Sequence, residues 1–462
     1  MTAFVGRGRY DGRLARQGVA LPRQVATTAH ACALYPFSLD TGGVEGAFLG
    51  HDHFTGSGFY FDLFAAYDAG IIQGPNAIVS GAGAYGKSAI IKSLVYRSSC
   101  LRTAGKDRFV SVIDPKGEWV ALARALGWTV LQLRPGGNSR VNPLDIRRGL
   151  LTDSPSSRPT SEDAVVAQRD VLAQRVAVCS TLLAQALNRT ELTVSEHRLI
   201  HAALQHLNRP ERTRLALPST SAPTLNDLRV LLADPPSSLA TTLDTSPAEL
   251  LERRRLLLDA CAVLIDHDLR GMCDGPTTLD IDWTTTPGIV VDLSALLTQR
   301  KALRMVLTAA AGWLAGVMYS QPDRHKLNII DEGWTAFEDL SVVRYLQDQW
   351  RLGRQWGVAN ILITHALTDL RSQTDDGTAQ TKIVQGLLNT TSVRIYLHQN
   401  PEHVTDVLAN MGLNSIQTAL LEWLTPLQAL WQIGAETILA DHALSEAEWE
   451  FAGTDSAMRG QV

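Results

Sequence analysis

The chain reads as an α/β protein built on a mostly parallel sheet and interrupted by an all-α block, and three observations predict this. From Ala77 onward, short β-branched runs alternate with helical patterns. Those runs are almost continuously apolar, as at Ile289, Val290 and Val291, which marks strands covered on both faces. Between about Arg147 and Met272 the periodicity turns helical and strand signals nearly vanish.

Taken in order, the expected strands run from Ala77 to Ser80, Phe109 to Asp114, Ile289 to Leu293, Leu327 to Asp331, Asn360 to Thr364 and Val393 to Leu397. In the helical block, Leu172, Val176, Cys179, Leu183 and Leu187 recur at three- and four-residue steps and line one helix face. Three further helix starts follow, at Thr193 with Glu196, Thr224 with Asp227, and Ser246 and Pro247 with Glu249, all at or near capping-box spacing. The expected division is a lead segment over residues 1–60 packing on the core, a first half of the core over 61–146, the all-α block over 147–272, a second half over 273–445, and a tail over 446–462.

With 462 residues, 45% hydrophobic and 19% charged, the composition is that of a folded globular chain and excludes wholesale disorder. The formal charge of -5 means that the surface as a whole is no footprint for nucleic acid, so any DNA contact must be local. Cys32, Cys100, Cys179, Cys261 and Cys273 are odd in number and widely spaced; they read as buried thiols, not as a zinc set or a disulfide framework. The arginine-rich N-terminus lacks the apolar core of a signal peptide, which argues for a cytoplasmic protein. The most apolar run, Met305 to Tyr319, falls short of the roughly 18 residues a membrane span needs and reads as a buried helix, so no transmembrane segment is expected.

The chemistry is concentrated in two motifs. Gly81-Ala82-Gly83-Ala84-Tyr85-Gly86-Lys87-Ser88 satisfies G-x-x-x-x-G-K-[ST], between an apolar strand and a segment whose Ile90, Ile91, Leu94 and Val95 give it a helical apolar face. Glycines let backbone N–H groups turn around an anion, and the helix that follows aims its positive end at phosphates. Gly81, Gly83, Ala84, Tyr85, Gly86, Lys87, Ser88 and Ala89 are therefore the expected nucleotide-binding stretch, with Lys87 on the terminal phosphates and Ser88 on magnesium. Only seven of the 42 basic residues are lysines, which makes a lysine at this position the more telling.

The second motif separates hydrolases from kinases. Leu327-Asn328-Ile329-Ile330-Asp331-Glu332 is an apolar strand ending in two acids, with Asp331 expected on the magnesium side and Glu332 on the attacking water. A strand-end acid pair that only caps a helix is the bland alternative. Among weaker signals, Arg354 is the first candidate and Arg351 the second for a cation on the transition-state charge. His365, at a strand end, is placed either to sense the terminal phosphate or to pack there. His51 and His53 have the look of a metal pair but lack further ligands nearby in sequence and read as structural.

Together these residues resemble the HerA/FtsK superfamily of ring ATPases, and within it the energising ATPases of conjugation and type IV secretion, VirB component four and its TraC-like relatives in the form found in actinobacterial mobile elements. The resemblance is carried by Gly74 to Val79 leading into the phosphate loop; by Ile113-Asp114-Pro115-Lys116-Gly117-Glu118-Trp119; by Val141-Asn142-Pro143-Leu144-Asp145; by Asp274-Gly275-Pro276-Thr277; and by Asp331-Glu332-Gly333-Trp334. It implies a RecA-like P-loop NTPase domain split by an all-α domain, magnesium-dependent hydrolysis of ATP to ADP and phosphate, and a homo-oligomer, a hexameric ring with ATP at subunit interfaces. Lys87, Ser88, Asp331 and Glu332 carry over residue by residue; Glu118 lies near the site, Arg354 matches the arginine acting from the next subunit, and Arg394 is a second basic contact. The implied partners are membrane-channel components of a secretion or conjugation system, which would bring the protein to the inner face of the cell membrane, with DNA as one possible cargo. A DNA-translocating coupling protein and a nucleotide-binding assembly subunit without turnover are the alternatives. The chain departs from the family pattern at His365, where many relatives have glutamine, at Tyr85, where a small residue is common, and in a short lead before the first expected strand at Ala77.

Overall fold

The computed structural model of the protein describes residues 42–146, 161–208, 222–279, 281–283, 285–319, 321, 323–332, 346–347, 350–351, 353–364, 386–400 and 413–453. Strands β1 (Gly42–Gly43), β2 (Ala47–Asp52) and β3 (Gly58–Phe61) precede helix α1 (Leu63–Asp68), whose N-cap Asp62 accepts the Ala65 N–H. Then come β4 (Asn76–Ser80), α2 (Lys87–Ser98), β5 (Arg108–Asp114), α3 (Val120–Ala125) and β6 (Thr129–Gln132). The helical stretch holds α4 (Ser161–Ala186), α5 (Val194–Leu207), α6 (Leu225–Ala233), α7 (Ser237–Leu243), α8 (Pro247–Arg253) and α9 (Arg255–Val263). Strand β7 (Gly288–Asp292), helix α10 (Arg300–Tyr319), and strands β8 (His325–Ile330), β9 (Val358–Thr364) and β10 (Val393–Tyr396) follow. The chain ends in α11 (Ser415–Leu421), the hairpin β11 (Gln428–Ile433) and β12 (Glu436–His442), and α12 (Glu446–Ala452).

The described residues divide between two compact units, one within Met1–Arg108, Leu327–Trp334 and Val358–Val462, the other within Phe109–Lys326 and Thr335–Gly357. In the first unit the strand order is β1-β3-β2-β12-β11-β10-β4-β9-β8. Strand β4 is parallel to β10 on one side and β9 on the other, whereas β11, β12 and β2 continue the sheet in antiparallel fashion. All five residues of β4 and all seven of β9 are buried, as apolar runs without alternation predict. Three asparagines pin this register: Asn360 Nδ2 donates to Asn76 Oδ1, and Asn328 Nδ2 donates to Asn360 Oδ1, both at 3.1 Å. A slip by one residue would break both buried bonds.

The C-terminal elements are fastened to α2. Arg97 holds Glu448 through Nε and Nη2, at 2.6 and 2.5 Å, and also donates to the carbonyls of Phe48 and Ala443. Burial pushes the Glu448 carboxyl up, but the hydrogen bonds from Arg97, Ser93 and Ser445 outweigh it and hold the group at about 2. At the end of β12, His442 is fully enclosed, and its Nε2 accepts from Trp431 Nε1 at 2.9 Å, which requires the neutral ring. Burial, helped by the charge of Arg97, lowers its pKa to about 3 against the opposite pull of Asp441.

In the second unit β5, β7 and β6 are parallel neighbours. Buried Asp114, at the end of β5, accepts the N–H groups of Lys116, Gly117 and Glu118 on Oδ1 and of Trp119 on Oδ2, which is why Asp-Pro-Lys-Gly-Glu turns where it does. Among the described residues of 147–272 there are helices and turns and no strand. The capping boxes at Thr193 and Thr224 form with both reciprocal bonds, and Ser246 caps α8 with Pro247 at its first position. Two of the segments that carry the family resemblance meet where the chain enters and leaves this stretch: Val141 N–H donates to Met272 O, Asn142 N–H to Thr277 Oγ1, and Arg140 Nε to Asp274 Oδ1. Gln185 of α4 donates to Thr308 of α10 at 3.1 Å in the buried seam between them.

All six expected strands are present within a few residues of their predicted ends, and α10 is the expected buried helix. By length and composition alone it would cross a membrane, but 83% of its apolar window, Arg300–Met318, is packed inside the protein. The sheet begins earlier than the sequence indicates, because β2 and β3 are strands of it and β2 pairs with β12 through Asp52 and Ala440. Strands β6, β11 and β12 were also not expected. Cys179, Cys261 and Cys273 are buried as predicted, whereas Cys100 is exposed at the end of α2, and Cys32 lies outside the described residues. His53 Nδ1 bonds Asp441 at 3.0 Å and His51 packs edge-on against Phe48, the structural roles expected of them.

Two predictions follow from the buried groups of the first unit. The folded pKa values of His442 and Glu448 lie below their ordinary values of 6.5 and 4.5, so the unfolded chain binds more protons between pH 6.5 and about 3 at His442 and between 4.5 and about 2 at Glu448. Stability is therefore full above pH 6.5, falls as His442 is forced to charge, and falls more steeply below 4.5. Urea midpoints at pH 7.5, 5.5 and 4.0 should decrease in that order, and His442→Gln should flatten the upper step; a midpoint that rises on acidification contradicts the assignment. Asn360→Ala should lower unfolding free energy by about 1–3 kcal/mol in the same assay through loss of two buried hydrogen bonds.

Candidate nucleotide-binding site

The loop between β4 and α2 is shaped by two glycines that nothing larger replaces easily. A Cβ on Gly81 would lie 2.6 Å from the Leu397 Cβ, and one on Gly86, which has φ +94°, would lie 2.7 Å from the Leu427 side chain. Gly83, by contrast, faces open space. Ala84 also takes a left-handed conformation, φ 64°, so the loop doubles back before the helix begins. Backbone from two other segments holds it there: Leu397 N–H donates to Ser80 O, Ala82 N–H to His398 O, and Leu427 N–H to Tyr85 O, at 2.8, 2.8 and 3.1 Å.

Helix α2 starts at Lys87 with Gly86 as a cap that offers no side-chain acceptor and with no acid in its first turn. Its leading N–H groups and the positive end of its dipole therefore face the loop without a built-in anion. The buried Lys87 ammonium donates to the carbonyls of Gly81 and Ala82 at 2.7 and 2.9 Å, folded over the same loop. Ser88 follows at the second helical position, and Ala89 is buried behind it. Buried Gln399 reaches the Ser80 hydroxyl at 3.4 Å, tying the segment that follows β10 to the end of β4.

Asp331 and Glu332 follow directly on β8 in the same unit, 4% and 7% exposed. Glu332 has φ 52°, uncommon for a residue with a side chain, and its N–H donates to Asp331 Oδ1 at 2.9 Å. The strand therefore stops abruptly and places two carboxylates in succession in a buried position. Hydroxyl and carboxylate oxygens are hard donors of the kind magnesium takes, so Ser88 and Asp331 fit such an ion by chemistry.

The remaining expected residues fall elsewhere. Glu118 belongs to the second unit, in the turn capped by Asp114. Arg354 is also in that unit, exposed in a 3-10 turn (Arg354–Trp356) that ends at Gly357, φ 63°, and is fastened by Lys326 Nζ to Trp356 O; Arg351 is exposed as well. Arg394 stands level with Ile78 in the β10–β4 register and donates to Gln432 Oε1 and Leu388 O. His365, Gly333 and Trp334 lie outside the described residues. The sequence reading missed the support: Leu397, His398, Gln399 and Leu427 carry no motif, and only the packing reveals them.

No family model matches the sequence, and no curated protein does. Solved structures do. The structure of VirB4 of Thermoanaerobacter pseudethanolicus is similar with TM-score 0.68 and 19% identity over 88% of this chain and 100% of that one. The bacterial conjugative coupling protein TrwBdeltaN70, in complex with sulphate, is similar with TM-score 0.51 and 18% identity over 80% of this chain and 84% of the other. The plasmid coupling protein TrwB in complex with ADP and Mg2+ gives 0.50 and 18% over the same shares. The fold is thus that of RecA-like P-loop ATPases, with a mostly parallel sheet and an all-α interruption, the class that the sequence resemblance implies.

The crowding at Gly86 predicts that Gly86→Ala destabilises the chain by about 1–3 kcal/mol, because the added methyl meets Leu427 and the left-handed backbone disfavours it. Urea unfolding measures this, and an unchanged midpoint would show that the loop relaxes at no cost.

Proposed function

We propose that this chain is an ATP-hydrolysing motor that powers conjugative transfer or type IV secretion. The observation that carries the proposal is the union, in one unit, of a strand–loop–helix with Lys87 folded over the loop and a second strand that ends in buried Asp331 and Glu332. The likeness to VirB4, which extends over the whole of that chain, supports this reading over that of a coupling protein. In keeping with it, residues 147–272 are taken as an all-α domain set into the RecA-like core.

In this reading the loop amides and the start of α2 bind the phosphates, and Lys87 moves from the Gly81 and Ala82 carbonyls to the terminal phosphate oxygens. Ser88 and Asp331 would hold a magnesium ion, which would supply charge neutralisation to the phosphates when bound. Glu332 orients a water for in-line attack and takes up its proton as the new P–O bond forms and the bond to the ADP oxygen breaks. Arg354, exposed on its own chain, serves the site of the next subunit in a hexameric ring; His365, Glu118 and Arg394 are proposed as supporting residues on the strength of the sequence resemblance alone. The protein then works on the cytoplasmic side of the membrane with the channel components of the system.

Lys87→Ala should abolish ATP turnover and weaken nucleotide binding, whereas Glu332→Gln should lose turnover at least a hundredfold and still bind. Arg354→Ala should lose turnover only in the assembled ring, and mixing it with Lys87→Ala should restore part of it. Unchanged phosphate release in both of the first two variants would refute the assignment. The TrwB likeness keeps a DNA-translocating coupling protein as the second reading; turnover strongly stimulated by DNA and suppressed by salt would favour it. Binding with no phosphate release from the wild-type oligomer would instead indicate an assembly subunit.

A further inference from the structure

The position where the phosphate loop departs from its family pattern has a partner. The ring of Tyr85 lies flat on that of His398, with centroids 4.1 Å apart and planes 13° from parallel. His398 is joined to the start of the loop, where its carbonyl accepts the Ala82 N–H, while Tyr85 belongs to the end of the loop, where its own carbonyl accepts the Leu427 N–H. The stack thus spans the loop from its beginning, where Ala82 follows Gly81, to its end, immediately before Gly86 and Lys87. Among the described residues the buried His398 Nδ1 has no hydrogen-bond partner, so the contact the imidazole makes with the loop is through its face. Between these two anchors lie Gly83, with open space around it, and Ala84, exposed and left-handed. Besides the stack, the loop is held by the backbone bonds at Ala82 and Tyr85 and by the Lys87 ammonium on the Gly81 and Ala82 carbonyls, none of which touches Gly83 or Ala84.

We propose that Tyr85 and His398 are positioning residues that together hold the phosphate loop at the width a polyphosphate enters, so that the pair sets nucleotide affinity more than the rate of hydrolysis. This rests on the reading of Gly81–Ser88 as a nucleotide site. Pre-organisation lowers the ordering cost at binding, which is common to ground and transition states and therefore appears in KM and not in kcat. Loss of one aromatic partner should weaken binding by about three- to tenfold, the size of an aromatic pair's contribution.

The test is Mg-ADP binding by calorimetry and ATP turnover on the full chain. His398→Ala and Tyr85→Ala should each raise the Kd and KM about three- to tenfold with kcat within about twofold of wild type. The Ala/Ala double variant should be no worse than the weaker single one, because either change alone already removes the stack. Tyr85→Phe and His398→Phe keep a ring at each place and should restore the affinity lost on truncation to alanine. Phenylalanine variants as weak as the alanine ones, additive losses in the double variant, or a fall in kcat at unchanged Kd would each overturn the inference. Failure confined to these variants, with wild-type binding and turnover intact, overturns the pair alone; a wild-type chain that neither binds Mg-ADP nor releases phosphate overturns the functional reading with it.

Discussion

A strand enclosed on both faces governs the first unit. Strand β4 lies between β10 and β9 with every residue buried, and its register cannot slide because Asn76, Asn360 and Asn328 are bonded in a row across neighbouring strands. Each buried amide is worth little in itself once its desolvation is counted, yet an unmatched one is expensive, so the ladder selects one register and penalises the others. On the other side of β4, the parallel pairing of Val393 to Tyr396 with Ala77 to Ser80 decides where Gly81 meets Leu397 and where Gln399 finds the Ser80 hydroxyl. The proposed chemistry at the strand ends depends on a lock some four residues below it.

The loop itself is a compromise between exposure and support. Its middle has to stay open to receive an anion, so its shape comes from its ends: Leu397 and His398 on one side, Leu427 on the other, with a glycine at each closest approach. The same economy appears at Glu332, where a left-handed residue stops β8 and leaves two acids side by side in a buried place. Strained backbone of this kind survives only where the surrounding packing over-determines it. The stiffness of α2 adds to this, because Arg97 fastens its far end to Glu448, Phe48 and Ala443.

How much of this was legible depended on whether a signal was local. Strands such as Ile289 to Leu293 announce themselves because burial on both faces leaves an unbroken apolar run, and Thr193, Thr224 and Ser246 announce helix starts because a cap needs its partner three residues on. The antiparallel side of the sheet sent no such signal. Strands β11 and β12 are covered on both faces, so the alternation expected of an antiparallel hairpin is absent, while β2, β3 and β6 are short and interspersed with glycine, aromatic or polar residues. Cys100 was misjudged for a similar reason: thiols are usually buried, but this one follows the last turn of α2 where the chain reaches the surface.

By itself the sequence determined the α/β class, the two chemical motifs and the helical interruption, since each is written in residues close together in the chain whose spacing has a direct physical meaning. Only the tertiary structure decided what stands around the phosphate loop. Tyr85 was visibly out of place in its motif, but that it lies against His398, more than three hundred positions away, follows from the parallel pairing of β4 with β10 and from nothing local. Contacts of that kind arise when strand register brings distant segments to one end of a sheet, and register is a property of the packed whole.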